Sequence, residues 1–354
     1  MPALEAKAQV VGRRAASDNG RVFRDGAQVR GIGLATLGVL VVALAIILIP
    51  ATSTWPRTVT AVAGLGALWA ALQILGERRY GRDFKLGLWL AITWLLLIIV
   101  VAALANHLPI DGYNKTKPGA ALARPGLSFS QPLGRDSFAR SNLSRVIFGA
   151  RASLVIALLA VSLGLLVGSL LGLLAGYLGG VADALINIYA NATLAFPPLV
   201  LLLGVVAVFH SSIWTLSLSL AFLSVPGYAR IMRAQAVSLR QREFVLAARA
   251  MGATHRRIML REILPNAVVP VASYSFIIAA VTIIAEGSIS YLGLGIPPPQ
   301  PSWGGMIADG AVKLKTAPHV VFVPATVMFL TVLSFNRVGD AVRKRTLGER
   351  NDIA

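Results

Sequence analysis

The sequence predicts an all-α integral membrane protein, and three observations carry that expectation. Of 354 residues, 56% are hydrophobic and 14% charged, with a mean hydropathy of +0.72, too few polar side chains to cover a water-soluble globule of this size. Eight apolar stretches reach or approach the length of about 20 residues that a helix needs to cross a hydrocarbon core of about 30 Å. The alternating ten-residue segments of a transmembrane β-barrel are absent, which leaves helices to satisfy the backbone in lipid.

The elements follow in order. Residues 1–30 are rich in Ala, Arg and Gly without an apolar period, and read as a cytoplasmic tail. Apolar runs near 31–51 and 59–76 form an N-terminal hairpin that continues through the basic stretch Glu77–Lys85; its first run starts too late and runs too long for a cleaved signal peptide. A third span covers 86–105, and the polar segment 106–150, with Pro109, Pro118, Pro125 and Pro132, is an outer loop. The fourth span, 152–176, carries Gly164, Gly168, Gly172 and Gly176 on one helix face. Small residues at that spacing let membrane helices approach closely, either as a sliding surface or as static packing. The fifth, 181–209, places Asp183, Asn187 and Asn191 on one face before Pro197 and Pro198. Polar groups at that depth line a path or bond to another helix. Spans at 212–226, 264–291 and 317–336 complete the count, with a loop at 227–263 and a tail at 346–354.

The net charge of +18 is compatible with nucleic acid, but the positions of the basic residues favour the bilayer. With a cytoplasmic N-terminus, residues 1–30, 77–85, 227–263 and 337–354 lie inside and carry most of the 33 Lys and Arg, as positive-inside orientation requires. The chain has no cysteine, which excludes disulfides and thiolate sites. Its four histidines, His107, His210, His255 and His319, lack ligand spacing, so no metal site is expected. Neither a P-loop nor a serine-hydrolase or zinc-protease motif occurs, so the chain is expected to be neither an ATP-binding subunit nor an enzyme.

One cytoplasmic stretch stands out, Phe244–Asn266, reading FVLAARAMGATHRRIMLREILPN. Gln241–Met251 favours helix, Gly252 suits the left-handed conformation that ends one, and Thr254 suits the cap of a second. Ala247, Ala248 and Ala250 keep the first helix narrow enough for a groove on another protein, with Arg249, Arg256 and Arg257 facing acidic rims. Charge alone fits equally well a basic loop lying on anionic headgroups.

The same stretch resembles the EAA coupling loop of ABC importer permeases, through Ala247, Ala248, Gly252, Leu264 and Pro265, preceded by Pro226-Gly227-Tyr228-Ala229-Arg230 and Arg233. Glu286–Gly310, EGSISYLGLGIPPPQPSWGGMIADG, is similar almost throughout to the corresponding segment of DppC/OppC-type permeases of dipeptide and oligopeptide importers. So are Gly134, Asp136, Arg140, Ser144, Arg145, Gly149, Ala150, Arg151, Ser153 and Leu154 in an outer run, and Asn336, Gly339, Asp340 and Arg343 near the end. The resemblance implies a type I ABC importer transmembrane domain over 86–345, six core helices plus the extra hairpin, about eight spans in all. It implies a plasma-membrane subunit, itself non-catalytic, that translocates peptides or a related small solute. Its implied partners are a second, DppB/OppB-like permease, two ABC ATPases holding ATP and Mg, an extracytoplasmic substrate-binding protein and membrane lipid, with no nucleic acid and no cofactor in this chain. The coupling residues it points to are Glu243, Ala247, Ala248, Arg249, Gly252, Ala253 and Arg256.

The sequence departs from that pattern in places. Leu246 stands where the coupling motif has glutamate, with Glu243 one turn earlier as a substitute. Arg135, Ala139 and Ser141 replace Thr, Gly and Asp of the outer run, and Ile188 and Asn191 replace an Arg and an Asp. Asn187, Asn191 and Glu286 are candidates for the translocation path, although hydrogen bonding of Glu286 to nearby backbone is the alternative role. Trp303 fits an interfacial anchor. The rival reading, an ATP-independent transporter or channel, requires ionisable groups at mid-membrane, and few are available.

Overall fold

The computed structural model describes residues 70, 72–76, 85–126 and 132–351. The tail 1–30, the span at 31–51, most of that at 59–76 and most of the stretch Glu77–Lys85 lie outside the described residues. The chain divides at Trp89–Leu90 into two compact units. In the first, the Leu86 N–H donates to Gln73 Oε1 (2.8 Å). The second, from Leu90 onward, holds the rest of the fold.

Helix α1 (Leu86–Ala103) is apolar all round and buries Ala91, Leu95, Ile98 and Ala102, a stripe at helical spacing. Trp94 Nε1 donates to Thr331 Oγ1 (3.0 Å). The segment that follows has no strand among its described residues, only isolated bridges Thr116–Arg140 and Arg135–Ser141. Here the departures from the family pattern acquire physical roles. Arg135 is buried and donates through Nη1 to the Ala139 carbonyl (2.8 Å). Ser141 caps α2 (Asn142–Leu178), its hydroxyl accepting from the Ser144 N–H, a task aspartate performs equally well. Ala139 sits at φ +60°, a conformation that costs a residue with a Cβ about 1–2 kcal/mol. Ala139→Gly is therefore expected to raise stability by about 1 kcal/mol, read as a higher unfolding midpoint of the purified chain.

The expected outer loop ends earlier than 150, because α2 starts at Asn142 and runs 37 residues. The expected single span 181–209 is two helices, α3 (Gly180–Ala195) and α4 (Pro198–Phe209), bent by 87°. Two prolines remove two backbone donors, and Phe196, held extended ahead of Pro197 (φ −84°, ψ 137°), cannot stay helical. The expected span 212–226 continues as α5 (Ile213–Leu239) straight through Pro226, so the helix occupies the first part of the predicted loop 227–263. Next come α6 (Glu243–Ala250) and α7 (His255–Tyr291), which begins nine residues ahead of the expected span and contains a π segment at Ile258–Ile263. Helix α8 (Trp303–Ala311) and α9 (His319–Asn351) follow; α9 extends past 336 into the expected tail.

Among the described residues four helices are long and apolar enough to cross a membrane, α1, α2, α7 and the His319–Lys344 part of α9, or five if the bent α3–α4 pair is one span. The expected eight are not all found. The first two lie largely outside the described residues. Helix α5 falls short because Ser217, Ser219 and Ser224 dilute its apolar run, their hydroxyls turned back onto the carbonyls of Ile213, Thr215 and Ala221.

Helices α2 and α5 make the most extensive helix pairing, and the glycine stripe explains why. A Cβ at Gly168 would lie 2.7 Å from the Val225 carbonyl oxygen, one at Gly172 2.3 Å from that of Ala229 and one at Gly176 2.6 Å from that of Arg233. The two backbones touch along three successive turns.

Candidate functional site

The residues singled out in the stretch Phe244–Asn266 form one surface at the end of the α2–α5 pair. Helix α6 is held from beneath by Val245 and Ala248, which join Leu173, Tyr177, Tyr228, Met232, Ala236 and Leu239 in a buried cluster with Ile258 and Ile263 of α7. The bend forms as the residue types predict. Gly252 takes φ +81°, its N–H donates to the Arg249 carbonyl and that of Ala253 to the Ala248 carbonyl, both at 3.0 Å. Thr254 Oγ1 then accepts from the Arg257 N–H (3.4 Å). His255 Nδ1 pairs with the Tyr177 hydroxyl (2.9 Å), tying the start of α7 to α2.

This geometry sorts the candidate coupling residues. Glu243, Ala247, Arg249, Gly252 and Arg256 are exposed. Ala248 is buried and Ala253 half-buried, so those two pack within this chain, while Ala247 and Ala250 are the exposed alanines of α6. Two large apolar side chains that sequence reasoning left out of the site are instead its most prominent knobs, Met251 at 82% and Leu246 at 50% exposure. Phe244 and Leu260 are exposed beside them. Leu246 and Arg249 edge a recess of about 730 Å³ with Tyr177, Arg240 and His255. Among the described residues Glu243, Arg242, Arg249, Arg256 and Arg257 have no ionic partner in the chain. Apolar knobs ringed by uncommitted charge have the composition of a protein-docking surface.

The three path candidates do not meet. Asp183 is gripped from α5 by Arg233, Nε to Oδ1 at 2.5 Å and Nη2 to Oδ2 at 2.6 Å, and accepts from Asn187 Nδ2 (2.6 Å). One turn on, Asn191 Oδ1 accepts from Arg230 Nη2 (2.9 Å). The polar face of α3 is thus a ladder bonded to α5, the interhelical alternative. Ile188, exposed on α3, shares none of these bonds.

Glu286 lies elsewhere, 1% exposed. Its Oε2 accepts from the Ser153 hydroxyl of α2 (3.0 Å) and its Oε1 from the Ser290 hydroxyl one turn on (2.7 Å). Its partners are side chains, not the backbone that sequence reasoning anticipated. Trp303 is corrected too: it is 0% exposed, packed against Ala150, Ala157 and Ile283, and donates from Nε1 to the Val146 carbonyl (3.1 Å). A buried indole with its N–H satisfied is a clamp between α8 and α2, not an interfacial anchor. The same clamp is reinforced by charge, with Asp136 facing Arg140 (2.7 Å) and Arg145 (3.4 Å) and Arg145 also facing Asp309 of α8 (3.4 Å). Outside the helices, the hydrogen bond from Lys115 holds the Asp111 carboxyl below the usual carboxylate range. Among the described residues no cluster of three or more His, Asp or Glu is placed to hold a metal ion.

The pattern of the family described as binding-protein-dependent transport system inner membrane component matches residues 168–348. The chain is 39% identical over 254 residues to the glutathione transport system permease protein GsiD of Escherichia coli strain 536, covering 72% of this chain and 83% of that protein. It is 35% identical over 257 residues to the dipeptide transport system permease protein DppC of Alkalihalophilus pseudofirmus, covering 72% and 84%. Against GsiD of Pectobacterium atrosepticum it is 37% identical over 251 residues, covering 71% and 83%.

Proposed function

The chain belongs to the binding-protein-dependent transport system inner membrane component family, the peptide-transport ABC permeases, and from that premise we propose that it imports short peptides, glutathione-like tripeptides among them. In this reading it is a multi-pass, non-catalytic subunit that works with a second, DppB/OppB-like permease, two ATPase subunits that bind ATP and Mg, and an extracytoplasmic binding protein. Six core helices over 86–345 form the transmembrane domain, preceded by an added hairpin over 31–85, with both termini cytoplasmic.

The single observation that supports this most is the α6 surface, where exposed Leu246 and Met251 are ringed by arginines and Glu243 without ionic partners among the described residues. Glu243, Ala247, Arg249, Gly252 and Arg256 face the ATPase in this reading, while Ala248 and Ala253 hold α6 to its own core. Closure of the ATPases around ATP shifts α6; the buried contact of Val245 and Ala248 with α5 and α7 transmits the shift to the spans. The cycle runs on differential binding to two states rather than on chemistry in this chain.

The test is purification of the tagged chain from its native membrane and measurement of ATP hydrolysis with binding protein and candidate peptides. Stoichiometric ATPase subunits and stimulation by short peptides are expected; a complex lacking any ATPase would sink the reading. Gly252→Asp sharpens it. A φ of +81° disfavours a side chain, yet a Cβ there meets nothing within 4 Å, so the variant folds and inserts while the docking bend is strained. At least a tenfold loss of uptake is expected, corresponding to about 1.4 kcal/mol, with membrane levels unchanged. Normal uptake in reconstituted vesicles would remove this bend from the coupling step.

A further inference from the structure

Away from α6, a slot of about 570 Å³ lies between α1, α2, α7 and α9. Along α2 its lining runs from Arg151 to Val161, about 15 Å at 1.5 Å per residue. Leu154, Val155, Leu158, Phe276 and Phe335 make its walls apolar. The hydroxyl of Ser275, also on the lining, is already engaged by Tyr228 Oη (3.0 Å).

Charge enters at one end only. Arg151 is exposed and has no hydrogen-bonding or ionic partner among the described residues. Its neighbours on the chain differ, since Arg140 and Arg145 are committed to Asp136 and Asp309. Arg151 immediately precedes the apolar run 152–176, the level at which a basic side chain on a membrane helix reaches the headgroups. An elongated apolar slot with one free cation at its end has the complement of an anionic amphiphile.

We propose that this slot binds a structural phospholipid of anionic type, one acyl chain lying between α1 and α2 and the phosphate against Arg151. The lipid would fill space that protein side chains leave empty, at a point where α1 meets the bundle.

Delipidated full-length chain, purified with its co-assembling subunits, is titrated with dioleoyl phosphatidylglycerol or dioleoyl phosphatidylcholine and read by native mass spectrometry. One phosphatidylglycerol is expected to be held more tightly than phosphatidylcholine. Arg151→Gln is expected to weaken phosphatidylglycerol about fivefold and to abolish the preference, with Arg151→Lys restoring it. Val155→Trp, which fills the slot and keeps the charge, is expected to lose both lipids; should it not fold, the Gln and Lys variants decide alone. Absence of a retained lipid on the wild type, or equal phosphatidylglycerol binding by wild type and Arg151→Gln, overturns the proposal. So does crosslinking of a Leu158→Cys variant to another subunit in the intact complex, since a protein segment then covers the slot.

Discussion

The double substitution Leu246→Asp with Met251→Asp leaves the chain folded and inserted but strips it of its ATPase partner, on the reading that α6 docks there. Neither side chain supports the fold: Met251 is 82% exposed and Leu246 half exposed, and the residues that anchor α6 are Val245 and Ala248. Each apolar knob buried at the centre of an interface is worth about 2 kcal/mol, and a carboxylate in its place adds an unpaired charge to desolvate. Association is therefore expected to weaken by more than a hundredfold, since 1.4 kcal/mol is tenfold. Co-purification and peptide-stimulated ATP hydrolysis measure it, with the unfolding midpoint of the isolated chain as control. Undiminished recovery of ATPase subunits with the double variant would place the docking surface elsewhere. Reversal of a single charge at Arg256, by contrast, acts at the rim and changes mainly the salt dependence of association.

The all-α membrane class was legible in composition and run length, because lipid admits so few backbone solutions. The ends of the helices were less so. Apolar run length marks where a segment is hydrophobic, not where its backbone hydrogen bonds stop. Helix α5 continues for thirteen residues beyond Pro226 because α2 offers it a glycine-lined surface, and one missing donor is a small loss beside that contact. The reverse error occurred at Phe196, where drawing one span over 181–209 hid an 87° break that only the paired prolines signalled.

At the candidate site, backbone chemistry was readable and side-chain direction was not. Glycine for the left-handed turn and threonine for the cap are demanded by local geometry, and both appear. Which of the alanines faced inward depended on the phase of α6 against α5 and α7, a tertiary quantity that eight residues cannot encode. Leu246 was read as a lost carboxylate; its exposure also makes it an apolar side chain available to a partner. Trp303 was assigned to the membrane interface and Glu286 to the translocation path or to nearby backbone on the strength of their residue types; both are buried, with hydroxyls and a carbonyl across the α2–α7–α8 junction as their partners.

The α2–α5 seam carries the other large effect. Gly172→Val is expected to prevent accumulation of folded chain. The added Cβ alone would stand 2.3 Å from the Ala229 carbonyl oxygen and 2.8 Å from Met232 Cβ, and a backbone carbonyl in mid-helix cannot swing aside as a side-chain tip does. The helices would have to part by about 1 Å to restore ordinary carbon–oxygen contact, pulling Gly168 and Gly176 off their own neighbours at the same time. Overpacking of this kind costs about 1–3 kcal/mol where side chains can yield, and more where they cannot. That is a large share of a stability of order 5–15 kcal/mol. Because the clash is made by the Cβ, Gly172→Ala is expected to be nearly as damaging, whereas Gly204→Ala on α4, where a Cβ meets nothing within 4 Å, is expected to be neutral or slightly stabilising. Membrane levels and unfolding midpoints of the three variants measure this. The series also separates the two readings of the stripe. A locked seam makes Gly172→Ala lose stability and transport together, while a surface that slides during the cycle makes it lose transport with the unfolding midpoint intact. At three successive rungs the backbones lie so close that even an added Cβ would fall within 2.7 Å of a carbonyl oxygen, which favours a locked seam, so joint loss is the expected outcome.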